Sequence, residues 1–165
     1  MERGKSMNLT RVFIHGLESS SQGTKGVFFR KGYPDMIVED YPGSLEERME
    51  KLNNLLDGRS DIVLVGSSFG GLMAAIYACE NEDRVRKVIL LAPAMHLEDF
   101  HPYLGKILDV PAVVFHGTRD DVVPLTAVRK IAENIFKNIT YNVVDDDHPL
   151  RETFLSYDWD NLLMA

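Results

Sequence analysis

The sequence predicts an α/β fold, a three-layer α/β/α sandwich around a mainly parallel sheet of about six strands. Three observations predict it. Short apolar, β-branched runs alternate along the chain with segments of helical periodicity. The central run, Ile62-Val63-Leu64-Val65, is apolar at every position, as a strand covered on both faces must be. Polar, glycine-bearing segments follow the strands, which is where open parallel sheets bind their ligands.

Thr10 to Ile14 reads as the first strand, running into the polar loop His15-Gly16-Leu17-Glu18-Ser19-Ser20-Ser21. A short helix is expected from Thr24 to Lys31, with Ser21 or Gly23 near its start. Met36 to Glu39 reads as a short strand closed by the turn Tyr41-Pro42-Gly43. Ser44 and Glu47 form a capping-box pair. Leu45, Met49, Leu52, Leu55 and Leu56 then recur at helical spacing until Gly58, giving a helix over 45–57. The third strand leads into a helix rich in small residues, with Ala74, Ala75 and Ala78 beside Leu72, Ile76 and Cys79, ending between Glu80 and Asp83. Val85 to Ala92 is the fourth strand, stopped by Pro93, and Pro111 to Phe115 is the fifth. Pro124 opens a helix that reaches Phe136, Ile139 to Val144 is the sixth strand, and Asp145 to Leu150 leads to a final helix. Strands separated by helices require right-handed crossovers, hence a parallel sheet with helices on both faces.

A chain of 165 residues, 45% of them hydrophobic, is long enough for one sizeable core and short for two. One domain over residues 9–165 behind a short N-terminal tail, residues 1–8, is expected. The net charge is −7, and the acidic residues are dispersed apart from Asp145-Asp146-Asp147. That excludes a nucleic-acid partner, which needs a clustered basic surface. No apolar run approaches the roughly 18 residues of a membrane span, and the opening residues lack the apolar core of a signal peptide. A cytoplasmic protein with no membrane partner, monomeric or a small homo-oligomer, is therefore expected. The single cysteine, Cys79, suits a reducing compartment and reads as packing on the apolar face of its helix.

Chemistry concentrates at Gly66-Ser67-Ser68-Phe69-Gly70. In a G-x-S-x-G turn between strand and helix, the central serine is exposed in a strained conformation, and the glycines remove side chains that would collide. For Ser67 to be central, glycines would have to stand where Val65 and Phe69 are, so Ser68 is the candidate nucleophile. A phosphate-binding reading fails, because Gly66-x-x-x-Gly70-Gly71 matches neither G-x-G-x-x-G nor a P-loop. A serine hydroxyl needs a base within reach and a group that orients the base. Of the five histidines, only His148 comes late, in a loop after the last strand. The loop after the fifth strand offers Asp120 and Asp121 as the orienting acid. Asp145, Asp146 and Asp147 read as solvated surface carboxylates. The Phe69 amide, following the nucleophile, is one oxyanion donor. His96 and His101 have no acidic or cysteine cluster beside them and read as ordinary surface histidines, so no metal and no cofactor is expected.

From about residue 10 to its end, the chain resembles the α/β-hydrolases. The motifs that carry the likeness are His15-Gly16-Leu17, Gly66-x-Ser68-x-Gly70 and His116-Gly117-x-x-Asp120-x-x-Val123-Pro124, with Ser68, Asp120 and His148 in the family's order. More narrowly, Phe13-Ile14-His15-Gly16-Leu17-x-Ser19-Ser20 with Gly23-Thr24-Lys25, and Ala92-Pro93-Ala94 with Tyr103-Leu104-Gly105, resemble the compact YqiA-like esterases. The resemblance implies a minimal α/β-hydrolase fold, beginning at the strand that larger relatives number third. It implies Asp120 rather than Asp121 as the acid, and the Leu17 N–H as second oxyanion donor. Gly16, Glu18 and Ser67 are placed at the substrate site, with Gly16 letting the backbone approach the substrate.

The implied partner is a small-molecule acyl ester or thioester, cleaved as by carboxylesterases and thioesterases. Acyl transfer or perhydrolysis at the same site, or a catalytically silent binding protein on the same fold, are the alternatives. Three departures stand out: Leu17 where an aromatic is commoner, the charge of Glu18, and no glycine before His148. The interval from Pro93 to Val110, where larger relatives insert a lid, is too short for a substantial cap. An open cleft is expected.

Overall fold

The computed structural model describes residues 8–164, so all but Asn8 of the expected N-terminal tail lies outside the described residues. The strands are β1 (Thr10–Ile14), β2 (Ile37–Val38), β3 (Ile62–Ser67), β4 (Val85–Leu91), β5 (Ala112–Gly117) and β6 (Ile139–Val144). All pair in parallel, in the order β2-β1-β3-β4-β5-β6. The helices are α1 (Thr24–Gly32), α2 (Leu45–Leu55), α3 (Phe69–Glu80), α4 (Leu125–Ile135) and α5 (Trp159–Leu162).

Side chains alternate across each strand, so each strand feeds two separate cores. Val12, Ile14, Leu64, Leu90 and Val114 pack toward Leu52 of α2, Leu72 of α3 and Val128 of α4. Their neighbours Phe13, Val63, Val65, Ile89 and Leu91 pack on the opposite face against Phe29 of α1 and Trp159 of α5. Every one of these side chains is almost fully withdrawn from water, and such burial stabilises by about 1.5–3 kcal/mol per residue. The chain leaves β1 toward β2 at one edge, returns to β3, and then proceeds outward to β6. That reversal makes a crevice between the loops after β1 and β3, the place where a doubly wound sheet binds ligands.

The capping box of α2 is present: Ser44 Oγ accepts from the Glu47 N–H at 3.2 Å while Glu47 Oε1 accepts from the Ser44 N–H at 3.3 Å. Several elements are shorter than the sequence suggests, among them α2, which ends at Leu55, and β4, which ends at Leu91. As an edge strand, β2 keeps only Ile37 and Val38, paired with Val12 and Phe13. The fourth helix starts after Pro124, which takes the N-cap place with an extended backbone. The final helical segment is broken, because Asp146 captures the Glu152 and Thr153 amides into a turn, leaving a 3₁₀ turn over Phe154–Ser156 and the short α5. Between β4 and β5 only a 3₁₀ segment, Glu98–Tyr103, is formed.

The last described residues dock beside the start of the sheet. Lys87 Nζ donates to the Met164 carbonyl at 3.3 Å, and the Met164 sulfur lies 3.9 Å from the Arg11 guanidinium. Among the described residues no helix is long and apolar enough to cross a membrane.

Candidate active site

The turn from β3 into α3 is set by what two glycines lack. A Cβ on Gly66 would lie 2.8 Å from the Gly71 Cα, and one on Gly70 would lie 2.6 Å from the His15 carbonyl oxygen. Only bare backbone lets β3, α3 and the end of β1 meet so closely. Ser68 sits at the apex with φ 55° and ψ −113°, a conformation that costs a non-glycine residue about 1–3 kcal/mol and persists because the surroundings enforce it. The Ser68 carbonyl accepts from the Gly71 and Ala94 amides, both at 2.9 Å, and its N–H donates to Leu91 at 2.9 Å. The side chain is thereby aimed out of the sheet.

His148 reaches it from 80 positions away, with Nε2 3.0 Å from Ser68 Oγ. The other ring nitrogen, Nδ1, donates to Asp120 Oδ2 at 2.7 Å. Asp120 Oδ1 accepts from the Val122 and Val123 amides at 2.9 and 2.7 Å, and its side chain is fully buried. A carboxylate so held is the acceptor that keeps Nδ1 protonated and leaves Nε2 free to take a proton. Asp121, the other acid considered, is exposed and makes no hydrogen bond or ion pair among the described residues.

The Leu17 and Phe69 N–H groups donate to no acceptor among the described residues, and both residues line the cleft that holds Ser68 and His148. The Phe69 amide is the first of α3, so the positive end of the helix dipole adds to it. The loop carrying Leu17 is pinned by His15: Nδ1–H donates to the Gly16 carbonyl at 2.7 Å and Nε2 accepts from the Tyr41 N–H at 2.9 Å. The cleft encloses about 640 Å³, a common size for a small-molecule site. Gly16, Glu18 and Ser67 all line it. A Cβ on Gly16 would stand at an ordinary 3.5 Å from the Ser68 Cβ, in space otherwise open to substrate.

A sequence profile of the alpha/beta hydrolase fold matches residues 15–108. The chain belongs to that family. No curated protein matches the sequence, but solved structures of the family share the fold. Mouse alpha/beta hydrolase domain-containing protein 10 superposes with a TM-score of 0.78 at 19% identity, over 96% of this chain and 91% of that one. An alpha-beta serine hydrolase homologue from Coxiella burnetii gives 0.77 at 19% identity, over 98% and 86%. The Paleococcus ferrophilus monoacylglycerol lipase gives 0.73 at 17% identity, over 92% and 91%.

Several residues besides Ser68, Asp120 and His148 support this alpha/beta hydrolase site. His116 is fully buried beneath Asp120. Its Nε2–H donates to the Val123 carbonyl at 3.1 Å and lies 3.3 Å from Asp120 Oδ2, while Nδ1 accepts from the Tyr141 hydroxyl at 2.7 Å. Burial pulls its pKa down, so it braces the carboxylate as a neutral donor. The H-G-x-x-D spacing carried that signal, since the histidine precedes the acid by one turn of loop.

The reading of Asp145, Asp146 and Asp147 as solvated is corrected for the middle one. Asp146 is fully buried and accepts from the Asp147 amide, the Thr153 amide and the Thr153 hydroxyl at 2.7, 2.8 and 2.7 Å. Burial alone would raise its pKa, but the Thr153 hydroxyl and these amides outweigh it and hold the carboxyl at about 2. His148 lies in sequence between Asp146 and the Glu152–Thr153 segment that Asp146 ties back.

Arg48 of α2, also buried, touches both residues whose amides are free. One Nη donates to the Leu17 carbonyl at 3.4 Å, the guanidinium carbon lies 5.2 Å from the Phe69 ring centre, and Nε donates to the Gly43 carbonyl at 2.9 Å. His96 is no ordinary surface histidine either: it lines the cleft, its Nδ1 is buried without a partner, and burial lowers its pKa. His101 is exposed. Among the described residues, no group of three or more His, Cys, Asp or Glu is placed to hold a metal ion. Cys79 is buried in α3, its thiol pushed up to about 12 by burial, and is inert as a nucleophile.

Proposed function

We propose that the protein is a serine hydrolase cleaving small carboxylic esters or thioesters through an acyl-enzyme on Ser68. The observation that carries this reading is the unbroken relay from Ser68 Oγ to His148 Nε2 at 3.0 Å and from His148 Nδ1 to Asp120 Oδ2 at 2.7 Å, beside two unpaired backbone N–H groups. Ser68 Oγ attacks the carbonyl carbon as His148 Nε2 takes its proton. Asp120 holds the ring and offsets the imidazolium charge. The oxyanion is received by the Leu17 and Phe69 amides, each such donor typically lowering the barrier by about 3 kcal/mol. Nε2–H then protonates the departing alcohol or thiol, and a water deprotonated by the same nitrogen attacks the acyl group and frees Ser68.

The names of two structural neighbours, a serine hydrolase homologue and a monoacylglycerol lipase, support the same reaction type for a chain of this fold. Between β4 and β5 only a 3₁₀ segment is formed, which supports the expectation of an open cleft and of short or extended acyl groups. A marked preference for long over short para-nitrophenyl esters would contradict that. Acyl transfer and perhydrolysis share every step up to the acyl-enzyme and differ only in the acceptor, so product analysis with water as sole acceptor separates them from hydrolysis. Labelling with a fluorophosphonate probe and mapping the modified peptide tests the whole reading. An adduct on Ser68 is expected, and an unmodified Ser68 in folded protein would also favour the silent binding protein.

A further inference from the structure

We propose that Lys25 makes the cleft selective for esters that carry a second, anionic group, a carboxylate in the simplest case. The inference rests on the serine-hydrolase reading and narrows its substrate class. Lys25 lies in the first turn of α1 and lines the same cleft as Ser68 and His148. Its ammonium has three N–H donors. One goes to the Pro149 carbonyl at 2.6 Å, and no other acceptor takes one among the described residues. Among the described residues no carboxylate lies within ion-pairing distance of it, and the first turn of α1 contains no acidic residue. Its other neighbour is the Phe154 ring, whose centre lies 5.4 Å away and which also lines the cleft.

A half-buried cation with no carboxylate in direct contact among the described residues is an unusual feature in a chain of net charge −7. Burial lowers the Lys25 pKa, and the charges of Asp147 and Asp146 offset this only in part. The cleft's other charges are differently placed. Arg151 is largely exposed and already bonded to Asp147 at 2.8 Å, and Glu18 is exposed at the rim, where water screens it. Among the charged side chains that line the cleft, Lys25 is the one that offers unused donors in a partly desolvated setting. A substrate carboxylate would accept them as a charge-assisted bond, which is worth about 1.5–3 kcal/mol, or about tenfold to a hundredfold in specificity.

The test compares kcat/KM for matched anionic and neutral esters. On the acyl side the pair is the para-nitrophenyl half-ester of adipic acid and its terminal amide. On the alcohol side it is butyryl glycolate and butyryl glycolamide. We expect at least one pair to favour the anion by about tenfold or more, and the pair that does so locates the group. In Lys25→Met the ratio should collapse toward one, whereas Lys25→Arg should retain part of it and Arg151→Met should keep it. A loss common to both members of a pair reports damage to the Pro149 contact and cancels in the ratio. A wild-type ratio near one in both pairs, or a ratio that survives in Lys25→Met, overturns the inference while leaving ester hydrolysis intact. Absence of hydrolysis of all four esters, with no fluorophosphonate adduct, overturns it together with the reading beneath it.

Discussion

Ser68 and His148 are partners at 3.0 Å, yet the segments that present them are built in opposite ways. Ser68 rises from β3, which lies between β1 and β4 and is buried from Ile62 to Gly66, and it leads into α3, which is buried from Gly70 to Cys79. Backbone packs on backbone there, and the geometry is enforced by close contact. His148 follows β6, an edge strand with no fully buried residue, and its loop is held by polar ties: the Asp146 knot, Lys25 on Pro149, and Asp120 on the ring itself. Packing holds Ser68 rigid, whereas a few hydrogen bonds with charged members hold His148. Damage to the first should therefore remove fold and activity together, and damage to the second should remove activity first.

The largest effect expected is at the serine. Ser68→Ala should reduce turnover by about a millionfold if the relay acts as a unit, measured against a sensitive ester at high enzyme concentration. Ser68→Gly should lose as much activity yet unfold later on heating, because glycine relieves the positive φ of 55°. A Ser68→Gly variant no more stable than Ser68→Ala would remove strain from the comparison. Gly70→Ala, which drives a methyl into the carbonyls of Ile14 and His15, should give little soluble folded protein.

Asp146→Ala tests the other half. It strands the buried donors of residues 147 and 153, and should lower stability by about 3 kcal/mol, or about 10 °C in melting temperature for a chain of this size. The folded fraction should nevertheless lose about a hundredfold in kcat as His148 loses its fixed position. If kcat per folded molecule is unchanged, the loop is held by something else. Arg48→Met is expected to do less. A fall of about tenfold in kcat at constant KM, with the same loss in affinity for a boronic acid that mimics the tetrahedral adduct, would mark Arg48 as positioning the Leu17 and Phe69 amides. A rise in KM alone would assign it to substrate binding.

Acid should have the gentlest effect, and it acts on the loop through Asp146. Asp146 is held at about 2, below the roughly 3.9 of an unfolded aspartate. Its contribution to stability is thus complete above about pH 4 and is lost only as pH falls through the folded value. Near-ultraviolet circular dichroism should therefore stay native down to about pH 4. Loss of the native signal well above that pH would mean that the loop is held by something other than the Asp146 carboxylate.

The elements with strong local signals were legible from residues alone. The all-apolar β3, the G-x-S-x-G turn and the Ser44–Glu47 cap each involve neighbours in sequence, so pattern and structure coincide. Residues whose role depends on distant contact were not. Nothing distinguishes Asp146 from Asp145 or Asp147 until Thr153 folds back over it. Arg48 sits in the run Glu46-Glu47-Arg48-Met49-Glu50-Lys51 and looks like part of a solvated face. Lys25 meets Pro149 across 124 positions, a pairing created by the sheet. The broken final helix has the same origin, since helical periodicity after Leu150 competes with a carboxylate that no local rule anticipates.

The docking of Met164 beside Arg11 and Lys87 has a practical side. These contacts lie at the amino ends of β1 and β4, and Ser68 and His148 both follow carboxyl ends. A tether attached near Thr10 or Met164 would leave from the floor of the molecule, so protein anchored to a bead or fused to a carrier would present its open mouth to the surrounding solution.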